Sequence, residues 1–454
     1  MISTKDSKAK NKALSRRNFI KIGSLAIGGS VLAETGLSEA ADNKDQHKIS
    51  YRRLGRTGFM ASDVGVGTVG LKEANVIRYA YDKGINYFDT AEGYGGGESE
   101  RKIGEVMKYM KRDKIFITTK LHISEKETEE SIIERFEKSR KRMQTDYVDC
   151  LYMHSVKKVS RLDHKAFHAA TDKLKAEGKL RFIGLSSHGS SNKKDDSIEK
   201  VMVAAAKDGR FDVVLFVYNF LNKDEGKRIL DACKKHDVGT TAMKISPGYV
   251  EVGLFDPDNP SESQIKEIER HMKRGRSKEE AERRYKKWAK SQQEEIEQYK
   301  PFFEKYNIKT NEQLREATVQ WVLNSQKMDV TLVTMTDFDI VDKIVSLSGT
   351  KLSYGNAEFL KDYEKYLGSQ YCRHGCDECF EVCPHDVPVS KIMRYSYYYS
   401  MQGREKLAME KYSRLGERKA TNCMDCDAPC LSACSYNVNA QLQLIKAHSL
   451  LSLA

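Results

Sequence analysis

Residues 85–90 read INYFDT, a short apolar run that ends in an acid and leads into a glycine-rich loop. Amphipathic segments such as EESIIERFEKSRKRM separate it from similar runs rich in β-branched residues. Strands that alternate with helical segments indicate βα units and a parallel sheet, and eight units predict an α/β fold of the closed (β/α)8 or TIM barrel type. The other seven runs are 63–67 (DVGVG), 114–120 (KIFITTK), 148–154 (VDCLYMH), 181–187 (RFIGLSS), 211–219 (FDVVLFVYN), 238–244 (VGTTAMK) and 329–335 (DVTLVTM).

The alternation is interrupted at two places. Residues 246–312 begin with a turn-rich stretch and become long, charged and helical, which indicates an insertion in the loop after the seventh strand. After about residue 350 the strand patterns end. We therefore expect a barrel over 50–350 and a small, mainly helical domain over 351–454.

The charge balance argues against a nucleic-acid partner. Lys and Arg number 77 against 65 Asp and Glu, a formal net charge of +12. The basic residues are interleaved with acids along helical segments, as in KEIERHMKRGRSKEEAERRYKKW. Such a pattern is typical of solvated helix faces, whereas a nucleic-acid footprint needs clustered basic residues.

The N-terminal segment has the three zones of a targeting signal. SRRNFIK at 15–21 precedes the apolar run IGSLAIGGSVLA, and the small residues Ser38 and Ala40 follow. The run is shorter than the about 20 residues that span a bilayer. The arginine pair resembles a twin-arginine (Tat) signal, a route that exports folded proteins. We predict that 1–41 is a signal peptide for the Tat translocase and that the mature protein is soluble and periplasmic or otherwise extracytoplasmic; a disordered basic tail is the alternative.

Eight of the ten cysteines lie in two short runs near the C-terminus, spaced C-x3-C-x2-C-x3-C-P and C-x2-C-x3-C-x3-C. Thiolates at such spacings hold [4Fe–4S] clusters, and in two-cluster ferredoxins the fourth cysteine of a run ligates the other cluster. We predict one cluster on Cys372, Cys376, Cys379 and Cys434, and a second on Cys423, Cys426, Cys430 and Cys383.

The same cysteines could instead form two zinc sites or four disulfides. Zinc ribbons usually separate their two knuckles by a longer loop, and four disulfides are hard to form within runs that have a helical pattern. The spacing therefore favours iron–sulfur clusters. Cys150 and Cys233 stand alone, and we interpret them as buried structural residues.

Four polar side chains fall at the C-terminal ends of barrel strands or just after them, where barrel enzymes place their chemistry. Asp89 ends the second strand, Tyr94 follows it, Lys120 ends the third and His154 ends the fourth. We expect the Lys120 ammonium to lower the pKa of Tyr94 and Asp89 to hold that lysine charged. Tyr94 is then a candidate general acid for a carbonyl oxygen, with His154 orienting the carbonyl.

Residues 50–345 resemble the aldo-keto reductase family. The matching pieces are YRRLGRTG, GINYFDTAEGYGGGESE, the strand-end lysine, DCLYMH, GKLRFIGLS and the region after VQWVL. With its cysteine runs the chain resembles the branch with a C-terminal 4Fe–4S dicluster ferredoxin domain. The resemblance implies Tyr94 as proton donor, Asp89 and Lys120 as the groups that tune it, His154 as the substrate-positioning residue, and a small carbonyl or alcohol substrate.

The nicotinamide contacts of that family are incomplete in this sequence. Its members hold the carboxamide with a Ser-Asn pair after the fifth strand and a Gln on the sixth, whereas this chain has Ser-His and an apolar sixth strand. The loop after the eighth strand is acidic, which predicts weak or no preference for NADPH over NADH, or no binding of either. NAD(P)H therefore stays open as a cofactor. The candidate contacts are Ser186, Ser187, Tyr218 and Lys244.

Two functional interpretations follow. The first is an exported iron–sulfur oxidoreductase that interconverts a carbonyl and an alcohol and exchanges electrons, through its clusters, with a redox partner protein or a membrane electron-transfer complex. The second is an electron-transfer protein whose barrel is a docking scaffold without nicotinamide-dependent activity of its own.

Overall fold

The structure of the protein, a computed structural model, describes residues 49–247 except 191 and 193, 275–400 except 377, 404–452, and isolated positions between 258 and 272. The predicted signal peptide lies outside these residues, as does much of the first half of the predicted insertion. No helix in this described part of the chain is both long and apolar enough to cross a membrane.

A hairpin and a closed barrel form the first part of the fold. The hairpin pairs β1 (Tyr51–Arg53) with β2 (Met60–Ser62) in antiparallel register. Eight parallel strands follow, each paired with its neighbours in chain order, and the last pairs with the first. They are β3 (Val64–Gly67), β4 (Tyr87–Asp89), β5 (Phe116–Leu121), β6 (Val148–Met153), β7 (Leu180–Ser187), β8 (Val213–Val217), β9 (Gly239–Met243) and β10 (Val330–Thr334). The (β/α)8 prediction is confirmed, and each barrel strand lies within its predicted run or one residue beyond it; the sequence analysis did not predict the hairpin.

Helices alternate with the strands, and their ends follow from sequence. The third helix begins after Thr128, whose side chain accepts a hydrogen bond from the Ser131 backbone, and it buries Ile132 and Phe136 one turn apart. Acids lie in its first turn and basic residues in its last, which suits the helix dipole. The barrel helices are α1 (Asn75–Asp82), α2 (Glu98–Met107), α3 (Glu129–Arg142), α4 (Lys165–Ala176), α5 (Ile198–Asp208), α6 (Lys223–Lys235), α7 (Lys278–Lys305), α8 (Asn311–Leu323) and α9 (Phe338–Leu347).

The inside of the barrel is filled by large side chains. Phe116 stacks on Tyr87 with ring centroids 5.5 Å apart, and the hydroxyls of Tyr87 and Tyr152 lie 2.9 Å apart. Leu54, from the hairpin, belongs to the same buried cluster and helps to close the N-terminal end. The open end of the barrel, at the C-terminal ends of the strands, is therefore where a site can form. Cys150 is fully buried here.

Helices beyond the barrel fall into two groups. The first contains α10 (Tyr354–Leu367), which packs through Phe359 on Phe302 of α7. The second surrounds the cysteine runs with its own buried cluster. Its helices are α11 (Glu378–Val382), α12 (Val389–Ser400), α13 (Glu405–Ser413), α14 (Pro429–Ala433) and α15 (Ala440–Leu451). Barrel and helices together make one compact unit, His47–Ala454.

The two cysteine runs form a structural repeat. Each run contains a short helix, α11 or α14, and leads into a longer one, α12 or α15; the short helices contact each other, and so do the longer ones. After the last cysteine of each run, the backbone N–H four residues on donates to its sulfur, from Val387 to Cys383 Sγ (3.4 Å) and from Val438 to Cys434 Sγ (3.3 Å). Because the two copies of this motif face each other, the last cysteine of each run lies near the other run.

Candidate active site and cysteine clusters

The four predicted polar residues meet at the open end of the barrel. Lys120 Nζ donates to Asp89 Oδ2 (2.5 Å) and to the Thr90 carbonyl (2.7 Å), and it lies 5.0 Å from the ring centroid of Tyr94. The rings of Tyr94 and His154 are 6.0 Å apart, edge to face. Strand pairing explains the meeting, because Asp89 is the last residue of β4 and Lys120 lies near the end of the adjacent β5.

Lys120 is held as an ammonium although its side chain is only 1% exposed. Burial acts to lower its pKa, but the carboxylate of Asp89 and the hydroxyl of Tyr94 outweigh this, and the net pKa is raised. Thr118 Oγ1 donates to the other carboxylate oxygen of Asp89 at 2.7 Å. Lys120 is therefore a fixed positive charge beside the Tyr94 ring, and Asp89 is its counter-ion.

The expected lowering of the pKa of Tyr94 is wrong. Burial raises the pKa of this phenol, and the charges of Lys120 and Arg404, which act to lower it, do not compensate. Tyr94 therefore keeps its proton at neutral pH, and Lys120 stabilises the tyrosinate that forms when that proton is given up. This arrangement suits a proton donor rather than a resident base.

His154 is a neutral imidazole. Burial, Lys120 and His122 lower its pKa to about 2. Its ring stacks on that of His122 with centroids 4.0 Å apart, and its Nδ1 is buried without a hydrogen-bond partner. The sequence analysis did not identify His122; its place two residues after Lys120, on the same face of the strand path, was the available signal.

The candidate nicotinamide contacts after the fifth and sixth barrel strands also make contacts within the protein. Ser186 Oγ accepts from the Ser155 backbone (3.0 Å), and Ser187 Oγ accepts from the Gly189 backbone (3.1 Å). The Tyr218 ring packs 5.0 Å from that of Trp321, within the main buried cluster of the barrel. A hydroxyl that accepts one hydrogen bond can still donate its own proton, so the role of these residues as nicotinamide contacts stays a prediction.

The C-terminal helices cover the same place. A Cβ built on Gly189 would lie 2.8 Å from the Cα of Gly375, so the two backbones touch. The rings of His188 and His374 lie 5.9 Å apart, edge to face. The loop after β7, where the family resemblance places the carboxamide contacts, is therefore in contact with the first cysteine run. Lys244 also faces this region, since its Nζ lies 5.6 Å from the ring centroid of Tyr398.

Four thiols, from both runs, line one cavity. The walls of this small cavity include Phe380, Val389 and Val438. Burial and the neighbouring thiols raise the pKa of Cys379 to about 12. The cysteines of this first group are Cys372, Cys376, Cys379 and Cys434.

The other four cysteines form a second group. Burial and its three partner thiols raise the pKa of Cys423 to about 11. Gln441 Nε2 donates to the carbonyls of Cys423 (2.8 Å) and Cys426 (2.7 Å), which fixes the loop that carries them. The members are Cys383, Cys423, Cys426 and Cys430. Each group thus takes three thiols from one run and one from the other, as the ferredoxin pattern predicts.

Both groups supply thiols only, which is the donor set of an iron–sulfur cluster. Among the described residues, no three His, Cys, Asp or Glu side chains form a group that could hold a metal ion, and this includes the cysteines of both groups. The first group instead surrounds a cavity with apolar walls, and backbone N–H groups point at the sulfurs of Cys383 and Cys434. Hydrogen bonds to sulfur and an apolar shell are features that tune iron–sulfur clusters.

Comparisons with known proteins agree with this barrel. The Aldo/keto reductase family matches residues 64–358. The soybean (Glycine max) protein named "Probable aldo-keto reductase 1" is 34% identical over 160 residues, 31% of this chain and 46% of its own length. L-galactose dehydrogenase of Arabidopsis thaliana is 36% identical over 159 residues, 30% of this chain and 48% of its own. The chain thus spans about half the length of these curated relatives.

Among solved structures, an aldo-keto reductase from Klebsiella pneumoniae in complex with NADPH is 18% identical, covers 69% of this chain and 94% of its own, and has a TM-score of 0.46. The family match spans well over half of the chain and ends before the first cysteine run. The chain belongs to the aldo/keto reductase family, whose members are oxidoreductases.

Proposed function

We propose that the protein is an exported iron–sulfur oxidoreductase that interconverts a small carbonyl compound and its alcohol. The observation that carries the proposal is the contact between Gly189 and Gly375, which sets the cysteine-lined cavity beside the barrel opening. Cys376 is the next residue after Gly375. A cluster on the first group would therefore lie beside the loop after β7, at the barrel opening.

The acid–base step rests on Tyr94, Lys120 and His154. As negative charge develops on the carbonyl oxygen, Tyr94 donates its proton and the adjacent ammonium of Lys120 stabilises the resulting tyrosinate. His154, being neutral, orients the oxygen without competing for the proton. Asp89 keeps Lys120 charged throughout. In the direction of alcohol oxidation the same groups act in reverse.

The redox step draws on the cysteine region. When bound, [4Fe–4S] clusters accept and donate single electrons, and two clusters match the two electrons that separate an alcohol from a carbonyl. The reduction also takes two protons: Tyr94 supplies the proton on oxygen, and water at the barrel opening supplies the proton that forms the C–H bond at carbon. The first group lies next to the barrel through Gly375 and His374. The second carries exposed apolar side chains, Met424 and Leu431, which suit a contact with a redox partner protein.

A Tyr94→Phe variant tests the catalytic role. It removes only the hydroxyl, so we expect carbonyl reduction to fall by about 10²–10⁴-fold with iron content and circular dichroism unchanged. Turnover would be measured anaerobically with a reduced low-potential dye as electron donor. A variant as fast as the wild type would refute the mechanism.

Stepwise cysteine replacement tests the clusters and their pairing. Wild-type protein should hold about eight irons per chain, and Cys423→Ala/Cys426→Ala about four. Adding Cys383→Ala should leave those four in place, because this thiol belongs to the group already lost, whereas adding Cys434→Ala should remove them. Zinc in place of iron, or the opposite result for the added variants, would contradict the proposal.

The electron-transfer alternative is favoured by one observation: the Ser186 and Ser187 hydroxyls accept backbone hydrogen bonds and the Tyr218 ring packs on Trp321, so the protein itself already engages these groups. If the barrel is only a scaffold, cluster reduction and partner reduction will proceed equally fast in wild type and Tyr94→Phe, and neither will reduce a carbonyl. The dye assay above therefore separates the two functions.

Export is proposed from Arg16, Arg17 and the apolar run that follows them. Cluster-bearing proteins must be assembled before export, and the Tat route carries folded cargo. We expect Arg16→Lys/Arg17→Lys to retain the protein in the cytoplasm, measured by cell fractionation. Unchanged export would mean that residues 1–41 have another role.

A further inference from the structure

Three cationic side chains lie around the barrel opening and come from both parts of the fold. Lys244 follows β9, Arg394 lies on α12 and Arg404 precedes α13. Tyr398 joins them: Lys244 Nζ lies 5.6 Å from its ring centroid, the Arg404 backbone donates to its carbonyl (2.9 Å), and Arg394 lies one helical turn before it on α12. In keeping with this, burial and then the charges of Arg394 and Arg404 lower the pKa of Lys244 to about 7. Like charges brought together in a buried place destabilise one another unless an opposite charge joins them.

This group of cations faces the active site. Arg404 donates from Nη2 to the Val69 carbonyl at 3.4 Å, in the loop after β3, and its charge acts on the hydroxyl of Tyr94. The charges of Lys244 and Arg394 act on His188, which lies beside the barrel opening. Arg404 therefore lies on the Tyr94 side of the barrel opening, and Lys244 and Arg394 lie on the His188 side.

In the described part of the chain, none of the three cations has an ion-pair partner. Arg394 is 8% exposed and donates from Nη2 to the Tyr371 hydroxyl (2.9 Å), while its Nε is buried without a partner. His188 Nδ1, nearby, is also buried without one. Buried polar atoms in native proteins are nearly always satisfied, so unsatisfied donors around an opening indicate a ligand that satisfies them.

The backbone of Lys244 supports the same conclusion. Its φ is +53°, in the left-handed region that non-glycine residues rarely adopt. Such conformations cluster at functional sites, where the surrounding structure holds a side chain in one direction. Here the ammonium is directed to the interface with the C-terminal helices, beside Tyr398.

We propose that Lys244, Arg394 and Arg404 bind an anionic group of the substrate, so that the enzyme acts on small carbonyl or alcohol compounds that carry a carboxylate or a phosphate. Guanidinium groups match both anions with paired hydrogen bonds, and a lysine adds a point charge. This inference rests on the proposed function for the identity of the reacting group. It adds the class of substrate and the residues that select it.

The test measures binding rather than turnover, in the Tyr94→Phe holoprotein purified anaerobically. The probes are two pairs, pyruvate against methyl pyruvate and dihydroxyacetone phosphate against dihydroxyacetone, followed by isothermal titration. We expect the anionic member of one pair to bind at least about tenfold more tightly, the size of one charge-assisted hydrogen bond. The pair that shows the preference identifies carboxylate or phosphate.

Variants on each side of the interface locate the effect. Lys244→Met and Arg404→Gln should each reduce binding of the preferred anion by about tenfold and leave binding of its neutral partner unchanged. Lys343→Met, which removes an exposed charge on α9 outside the group, is the matched control and should change neither. Arg394 is not used because it also contacts the side chain that precedes Cys372, and its loss would disturb the first cysteine group.

The outcomes separate this inference from the proposed function. Equal binding within both pairs, or a preference that survives Lys244→Met and Arg404→Gln, would overturn the anion site even if wild-type protein turns over a carbonyl. Tight binding of NADPH that these variants abolish, without a small-anion preference, would also overturn it. A preference that the variants remove supports the anion site even if wild-type turnover is absent.

Discussion

Two buried carboxylates of the barrel lie near opposite ends, Asp149 at the closed end and Asp89 at the open end, and their partners differ. Asp149 accepts hydrogen bonds from Arg112 (2.7 Å), Arg181 (2.9 Å) and the Ile117 backbone (2.9 Å). The two guanidinium groups reach solvent, so this charge cluster ties strand ends together while its cations stay hydrated. It contributes to stability and lies far from the opening.

At the open end the cation itself is buried. Lys120 has no path for its charge to reach water, and its ammonium is confined between Asp89, the Thr90 carbonyl and Tyr94. Such a pair contributes little to stability compared with an apolar pair of the same shape. The difference between the two ends supports the proposed acid–base role of the pair at the opening and a structural role for the cluster at the base.

The largest expected effect is on turnover. Lys120→Met removes the charge that stabilises the tyrosinate, and we expect kcat to fall by about 10²–10⁴-fold. Because this variant leaves Asp89 buried and unpaired, the double variant Lys120→Met/Asp89→Asn is the control; it should regain the thermal stability lost in the single variant but not the activity. If the double variant kept the wild-type kcat, the Lys120–Asp89 pair would have no catalytic role that sets it apart from the Asp149 cluster.

The second effect is on stability. Asp149→Asn leaves Arg112 and Arg181 without their carboxylate, and breaking a buried pair costs about 3–5 kcal/mol of unfolding free energy. Arg181→Gln is the matched control, since that side chain is 43% exposed and an exposed pair contributes at most about 1 kcal/mol. Urea unfolding measures both, and kcat per folded molecule should stay unchanged. A large loss of kcat in folded Asp149→Asn would place chemistry at the base as well.

A smaller effect concerns the pH dependence of stability. Burial raises the pKa of Asp329, at the start of β10, to about 6 from an ordinary value of 3.8. The folded state therefore favours the protonated acid, and this contribution is complete below pH 3.8 and is lost as the pH rises through about 6. In Asp329→Asn the melting temperature should depend less on pH between pH 4 and 6. An unchanged pH slope in that variant would assign the slope to other groups.

The smallest expected effect is none at all. Since burial raises the pKa of Tyr94 and lowers that of His154 to about 2, neither group titrates near neutrality. We expect kcat for carbonyl reduction, at saturating substrate, to be constant from about pH 6 to 9. A decline in that range would show that Tyr94 ionises early, as proximity to Lys120 alone had suggested.

Local sequence determined the barrel and brought the candidate catalytic residues together. The eight apolar runs predict the strands because β-branched residues repeat at the spacing of βα units, and residues at the ends of parallel strands meet at one edge of the barrel. That rule brings Asp89, Lys120 and His154 together without knowledge of side-chain packing. The cysteine spacings likewise predicted the two groups, since a repeated motif pairs with its copy.

The tertiary structure alone decided the rest. The pKa of Tyr94 depends on how completely neighbouring segments bury the phenol, which spacing along the chain does not encode. A side chain that follows a strand end can pack inward or outward, and the sequence does not decide between the two. In the folded chain the Tyr218 ring packs against Trp321. Arg394 and Arg404 lie about three hundred residues after Tyr94 in the chain and reach the barrel opening because the C-terminal helices dock there. The sequence of those helices contains no pattern that predicts this docking. Long-range packing, not local propensity, places Arg404 beside the loop after β3 and Arg394 beside the first cysteine run.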